Sequence, residues 1–340
     1  MRILTIAAYV VTTVLYSSAA PRAADGPYQL VKQIHVGGEG GWDYLNVDSA
    51  AKRLYVSHAT KVVVIDTAKD EVVGEILETP GIHGAVPADG KVFTSNGREA
   101  KVGVVDARTL KTLAKADTGP NPDFIMYEPK RKEVYAFNAS GSATVIDLNG
   151  TVVATIPLGG KPEAGVSDPA ASRVYVNIED KNEIAVIDVA THTIASRWPI
   201  APGEEAAGLA IDLKNHRLFI GAHNKLMVMM DSTSGKVVGQ VPIGANVDAT
   251  WFDPETRYAF SSCGDGTTTI AHEDSPTTLT VVQTLTTERG ARTMALDPVT
   301  HRIYLAAAAL EPPAPGAPAN ARPRQVPDSL HILVYGLNGK

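Results

Sequence analysis

A single cysteine, Cys263, stands among 340 residues, so no intrachain disulfide can form and packing must hold the fold. The same scarcity excludes a CxxC metal site. No HExxH zinc helix, GxGxxG phosphate loop or GxSxG nucleophile elbow is present either. Positive charge is in short supply: 31 Lys and Arg face 37 Asp and Glu, a net charge of −6. Without a stripe of basic and aromatic residues, the chain is a poor partner for nucleic acid. Long apolar runs are missing except one. Residues 3–16 (ILTIAAYVVTTVLY) follow Met1-Arg2 and precede the small residues Ser17 to Ala20 and Ala23-Ala24. That order predicts a secretory signal peptide over residues 1–24 and a periplasmic or extracellular location. Fourteen apolar residues are few for a bilayer, so no membrane span is expected once the signal is cleaved. Cleavage removes Arg2 and Arg22, leaving 29 basic against 37 acidic residues, a net charge of −8.

What the chain does have is a repeated phrase. Its clearest copy, RVYVNIEDKNEIAVID (173–188), reads as strand, polar turn, strand. β-Branched and aromatic residues fill both strands, and an Asp opens the next turn. The second strand recurs as VVVID, VGVVD, ATVID, IAVID and MVMMD, closing on Asp66, Asp106, Asp147, Asp188 and Asp231. The spacings are 40, 41, 41 and 43 residues. A degraded copy closes on Glu273, and HILVYG (331–336) is the last. Units of about forty residues, holding strands and no helix, predict an all-β fold. The expected form is a seven-bladed β-propeller with four antiparallel strands per blade.

The first strand of each hairpin carries a tetrad. It reads Tyr55-Val56-Ser57-His58, Phe93-Thr94-Ser95-Asn96 and Tyr135-Ala136-Phe137-Asn138, then fades to Tyr175-Val176-Asn177-Ile178 and Phe219-Ile220-Gly221-Ala222. In these tetrads the chain resembles the YVTN-repeat, YncE-like family of seven-bladed propellers, over nearly all of the mature chain. The resemblance implies the fold and a periplasmic setting. It says little of activity, because propellers host many unrelated functions.

Residues 28–338 are expected to form one domain. Each blade needs an inner strand A, then B, C and an outer D. The last repeat lacks a fourth strand and YQLVKQIHV (28–36) lacks a blade, so pairing the two closes the ring. Acids before proline (Asp168-Pro169, Asp253-Pro254, Asp297-Pro298 and the variant Glu128-Pro129) are assigned to turn chemistry, as is the closing Asp of each VID unit. His192, His216 and His301 are expected to be solvated turn residues, and Cys263 a partly buried strand-end residue. The Pro-rich loop at residues 311–328 interrupts blade 7 between strands B and C, and its composition favours extended chain.

The A–B and C–D turns share one face of a propeller; the D–A and B–C loops share the other, where the variable residues gather. Counting five residues back from each A–B turn acid aligns Asp43, Asp123, Glu163, Ala207, Asp248 and Arg292 at the starts of inner strands, with His83 beside Ile82 in blade 2. His58, Asn96 and Asn138 end strand B in their blades, and Asn177, His223 and Cys263 lie close to that position. Trp42 and Tyr44 flank Asp43, and Glu204 and Glu205 approach Ala207. Three readings fit this candidate site at the channel mouth. It is a solvated polar lining; or it binds a small molecule or protein partner, with Trp42 or Tyr44 as an apolar wall; or it holds a divalent metal. For the metal, Asp43, Asp123, Glu163 and Asp248 offer oxygens suited to Ca²⁺, and His58, His83 or His223 nitrogens suited to Zn²⁺.

The expected function is a monomeric ligand- or partner-binding scaffold that requires no cofactor. One alternative is a metal-dependent lactonase, hydrolase or lyase, with a carboxylate or histidine as general base on metal-bound water. The other is single-stranded DNA binding, which the resemblance suggests and the net charge opposes.

Overall fold

A computed structural model describes residues 26–311 and 324–338. The expected signal peptide and the centre of the Pro-rich loop lie outside the described residues. The rest forms seven four-stranded antiparallel sheets. Their inner strands are Trp42–Asp48, Ile82–Ala88, Pro122–Glu128, Pro162–Asp168, Ala206–Asp212, Val247–Asp253 and Met294–Asp297. Each inner strand touches that of the next blade, and the seventh touches the first, so the sheets close into a ring around a central channel. Among the described residues no helix is long and apolar enough to cross a membrane.

The tetrads explain the packing. Successive side chains on a strand point to opposite faces. In blade 1, Leu54 and Val56 pack against Tyr304 and Val334 of blade 7, whereas Tyr55 packs against Ile82 and Val92 of blade 2. Both faces of the blade are therefore dry, which is why the run is apolar throughout instead of alternating with polar residues. The pattern repeats at every blade boundary, giving an apolar cluster between each pair of neighbours and no single central core.

The turn acids behave as the sequence suggests. The Asp168 carboxylate accepts the Ala171 N–H at 2.9 Å, and Asp188 accepts those of Ala190 and Thr191, both at 2.9 Å. Two turn histidines depart from expectation. His301 is buried, with Nδ1 2.6 Å from the buried Asp253 carboxylate. His192 Nε2 lies 2.8 Å from Glu133 of the neighbouring blade. Both sit where the turns of adjacent blades press together, so each turn histidine meets its neighbour's acid and not solvent; His216 alone is exposed. Cys263 is wholly buried, and burial pushes its thiol up to about 12, which suppresses thiolate chemistry.

Ring closure follows the strand count. Tyr28–His35 pairs antiparallel with His331–Leu337, from Tyr28 opposite Leu337 to His35 opposite His331. Tyr28 then ties this blade to blade 6. Its backbone exchanges two hydrogen bonds with the Gln283 amide of blade 6 and its ring meets Phe260 of that blade edge-on at 5.2 Å, while its hydroxyl donates to the His301 carbonyl of its own blade at 2.8 Å. Tyr28→Ala should cost about 3–5 kcal/mol, the range for emptying a large buried aromatic site. Leu30→Ala, at an exposed position of the same strand, should cost less than about 0.5 kcal/mol. Urea denaturation of the two variants makes the comparison, and equal midpoints would mean that this strand does not hold the ring.

Candidate functional site

The inner strands share a local irregularity. Register shifts fall between Trp42 and Leu45, Ile82 and Ala85, Pro122 and Ile125, Pro162 and Gly165, Ala206 and Gly208, and Val247 and Ala249. Asp43, His83, Asp123, Glu163, Ala207 and Asp248 lie inside these shifts, one per blade. A bulge frees a residue from its pairing and re-aims its side chain. Arg292 takes the seventh position, just before its strand begins at Met294. One position in the repeat therefore becomes one ring of side chains at the channel mouth.

Each acid of the ring has a cation. His83 Nδ1 lies 2.7 Å from Asp43 Oδ2 and 3.4 Å from Asp123 Oδ1, while its Nε2 is 3.2 Å from Asn121 Oδ1. Arg292 Nε donates to Asp248 Oδ2 at 2.6 Å. Lys161 Nζ sits 2.7 Å from Glu163 Oε1 and pairs with Glu179 as well. Burial would lower His83, but the hydrogen bond to Asp43 and the charges of Asp123 and Asp43 outweigh it and raise the imidazole to about 9. Burial raises Asp43 and Asp248 despite their partners, and lifts Asp123 to about 6. Lys161 is held protonated by two carboxylates at once. One ammonium cannot neutralise both, and burial pushes Glu163 up to about 8. Tyr44, next along from Asp43, packs edge-on against Phe124 at 5.0 Å. Burial and then the surrounding acids, Asp123 foremost, hold its hydroxyl well above its usual range, so it stays a neutral donor.

Other residues of the predicted site lie elsewhere. Strand B is one strand removed from the channel, and its end is covered by loops. His58, Asn96, Asn138 and Asn177 are consequently buried. Asn138 donates to Ser142 and Thr144 Oγ atoms at 3.0 Å, and Asn177 to the carbonyls of Ala207 and Gly208 at 3.1 Å. Asn96 donates to Glu99 at 2.8 Å, and His58 Nδ1 lies 3.3 Å from the Gly41 carbonyl oxygen. These four secure strand ends and loops. Trp42 packs into the apolar cluster between blades 7 and 1. His223 is half-exposed near the ring, 3.8 Å from the largely exposed Glu205 and 3.9 Å from Glu179.

Lys161, Glu179, Asn121 and Phe124 escaped the sequence reading. Lys161 and Asn121 precede ring residues by two positions, so the alignment that found the ring also held their signal. Glu179 carries none, because a loop of its own blade folds it back. For a metal, the ligand atoms of Asp43, His83 and Asp123 lie within 4.8 Å of one another. Two carboxylates and an imidazole suit a transition ion better than Ca²⁺. Glu163 and Asp248 are engaged by Lys161 and Arg292 and stand outside that trio.

Burial of Glu163 has a consequence for stability. Its carboxyl takes up a proton on folding between its ordinary value near 4.5 and about 8. Its contribution is thus most favourable at the low end of that window and weakens as pH rises. Glu163→Gln should flatten the dependence: between pH 5 and 8 the variant's melting temperature should fall less than the parent's, by on the order of 2–4 °C. Parallel melting curves against pH would remove burial as the force acting on this carboxyl.

No protein-family model matches the chain. It is 28% identical over 148 residues to the uncharacterized protein YncE of Salmonella typhi, a stretch covering 41% of this chain and 42% of that one. The YncE protein of Salmonella typhimurium matches at 27% over the same length. The chain thus matches less than half the length of either relative. Among solved structures, hydrazine synthase of Kuenenia stuttgartiensis aligns with a TM-score of 0.70 at 15% identity, over 85% of this chain and 95% of that chain. A chain of the mitotic checkpoint complex aligns at 0.73 and 12% identity over 99% of both. At those identities the likeness shows the fold alone. Seven four-stranded sheets closed into one ring make the chain a seven-bladed β-propeller, and over 148 of its residues it is similar to YncE.

Proposed function

We propose that this propeller is an exported scaffold that binds a small zwitterionic molecule at the loop-face mouth of its channel. The observation that carries this reading is the ring itself, where bulged inner-strand positions supply acids and an imidazole, and Arg292, just before the seventh inner strand, a guanidinium. Its charges are already paired, so a ligand of one sign gains little. A ligand with both a cationic and an anionic group exchanges pairs without leaving a buried charge alone. Rigid blades hold these groups in place before the ligand arrives, which reduces the ordering cost of binding.

Two measurements test the parts of this reading. Intact mass of protein recovered from the periplasm should lack about the first 24 residues, and a full-length product would end the export proposal. A panel of amino acids should contain at least one that raises the melting temperature. Asp43→Asn or Arg292→Gln should weaken its binding at least about tenfold, the loss of one charged contact. No shift across the panel would refute the zwitterion.

A metal-dependent reading is favoured by the Asp43, His83 and Asp123 trio alone. Binding would require His83 to release its proton, so affinity should rise with pH. Calorimetric titration of Ca²⁺, Zn²⁺ and Mn²⁺ separates the cases. A heat that disappears in Asp43→Asn supports the metal, and no heat with any ion rejects it together with lactonase-like hydrolysis.

A further inference from the structure

The channel changes character along its length. Beneath the ionised ring it opens into a cavity of about 450 Å³, reaching from Tyr44, Phe124 and Asp248 down to the A–B turns at Pro129, Pro169 and Leu213. This is the face opposite the loops. Its walls come from every blade, and they are apolar: Val86, Phe124, Met126, Val166, Ile211 and Trp251. At the rim, Leu213 is 49% exposed. The volume is about three times that of an engineered apolar cavity that stays dry and binds benzene or xenon. It also falls in the range of about 300–1,000 Å³ typical of small-molecule sites.

We infer that this lower half of the channel is a second binding site, for a small, neutral, mainly apolar molecule that carries a hydrogen-bond acceptor. Several features define the ligand. The walls are preformed: the Trp251 indole N–H donates to the Met294 carbonyl at 2.8 Å, and Tyr44 and Phe124 brace each other edge-on at 5.0 Å. Water in such a space finds few partners, so its displacement by apolar surface is favourable. The polar groups are few, and Ser167 and Thr250 are already engaged by Glu128 and Ser261. The Asn46 amide lines the cavity, and the neutral Tyr44 hydroxyl stands at its upper end. Both donate to an acceptor on the ligand. Asp248 closes the same end already paired with Arg292, so an anionic head is repelled and a cationic one must compete with a guanidinium in place. The site adjoins the ring above: Asp248 belongs to both, and Tyr44 and Phe124 stand between them.

The whole protein is tested with N-phenyl-1-naphthylamine, a neutral apolar fluorophore, and with xenon. The dye should bind saturably at one per chain with enhanced, blue-shifted emission. Val166→Trp and Ile211→Trp fill the cavity from different walls, and either should lower dye affinity at least tenfold while circular dichroism stays that of the parent. Xenon-pressurised crystals of the unmodified protein should show a peak between Phe124, Val166 and Trp251, a readout that needs no variant to fold. Absence of xenon from the cavity overturns the proposal. So does dye binding that is non-saturable, or that survives unchanged in a folded variant with the cavity filled.

Discussion

Contact between blades is the constraint on which everything else rests. A four-stranded sheet whose two faces are both apolar has no stable existence in water by itself. Each blade here buries Leu54- and Val56-type residues against one neighbour and Tyr55-type residues against the other. The stabilising surface is therefore distributed over all the boundaries, and every boundary must form for any blade to be dry on both sides. That requirement explains why the strand from Tyr28 to His35 is recruited across the whole length of the chain to complete the last blade. It also explains the absence of any need for a disulfide, despite the one cysteine being placed in the core.

The same ring architecture concentrates charge. Any ionisable residue placed at the bulge of one inner strand arrives beside those of its neighbours. Four acids at such positions would repel strongly in a half-buried mouth. The structure answers with His83, Lys161 and Arg292, each bound to an acid of an adjacent blade or of its own. The outcome is a polar mouth with little net field, sitting on an apolar shaft. That contrast between two ends of one channel is the main chemical asymmetry of the molecule.

Much of this was legible from the chain. Apolar tetrads at a spacing of about forty residues have few solutions other than a propeller, since strands of that period cannot bury both faces otherwise. The count of strands identified the closing pair, and position within the repeat found the ring from Asp43 to Arg292. What escaped is what depends on contacts between repeats. A bulge leaves no mark in residue type, so the outward turn of strand B, which buries Asn138 and Asn177, could not be told from the inward aim of Asp123. His301 and His192 looked like solvated turn residues because their acidic partners belong to other blades. The apolar shaft was hidden for a similar reason: Val166, Ile211 and Trp251 each look like ordinary core residues, and only the radius of the ring leaves space between them.

Closure by the first and last strands also settles where the two ends of the domain emerge. Asn338 donates its backbone N–H to the Pro27 carbonyl at 2.8 Å, so the ends lie side by side on the outer edge of one blade. The covalent break in the polypeptide is thus a local matter, and the ring itself has no privileged seam. A peptide linker of a few residues could join Pro27 to Asn338, and new termini could be opened in a loop between any two blades, leaving every strand with its partners. For the same reason anything attached to either end is carried at the periphery, clear of both mouths of the channel.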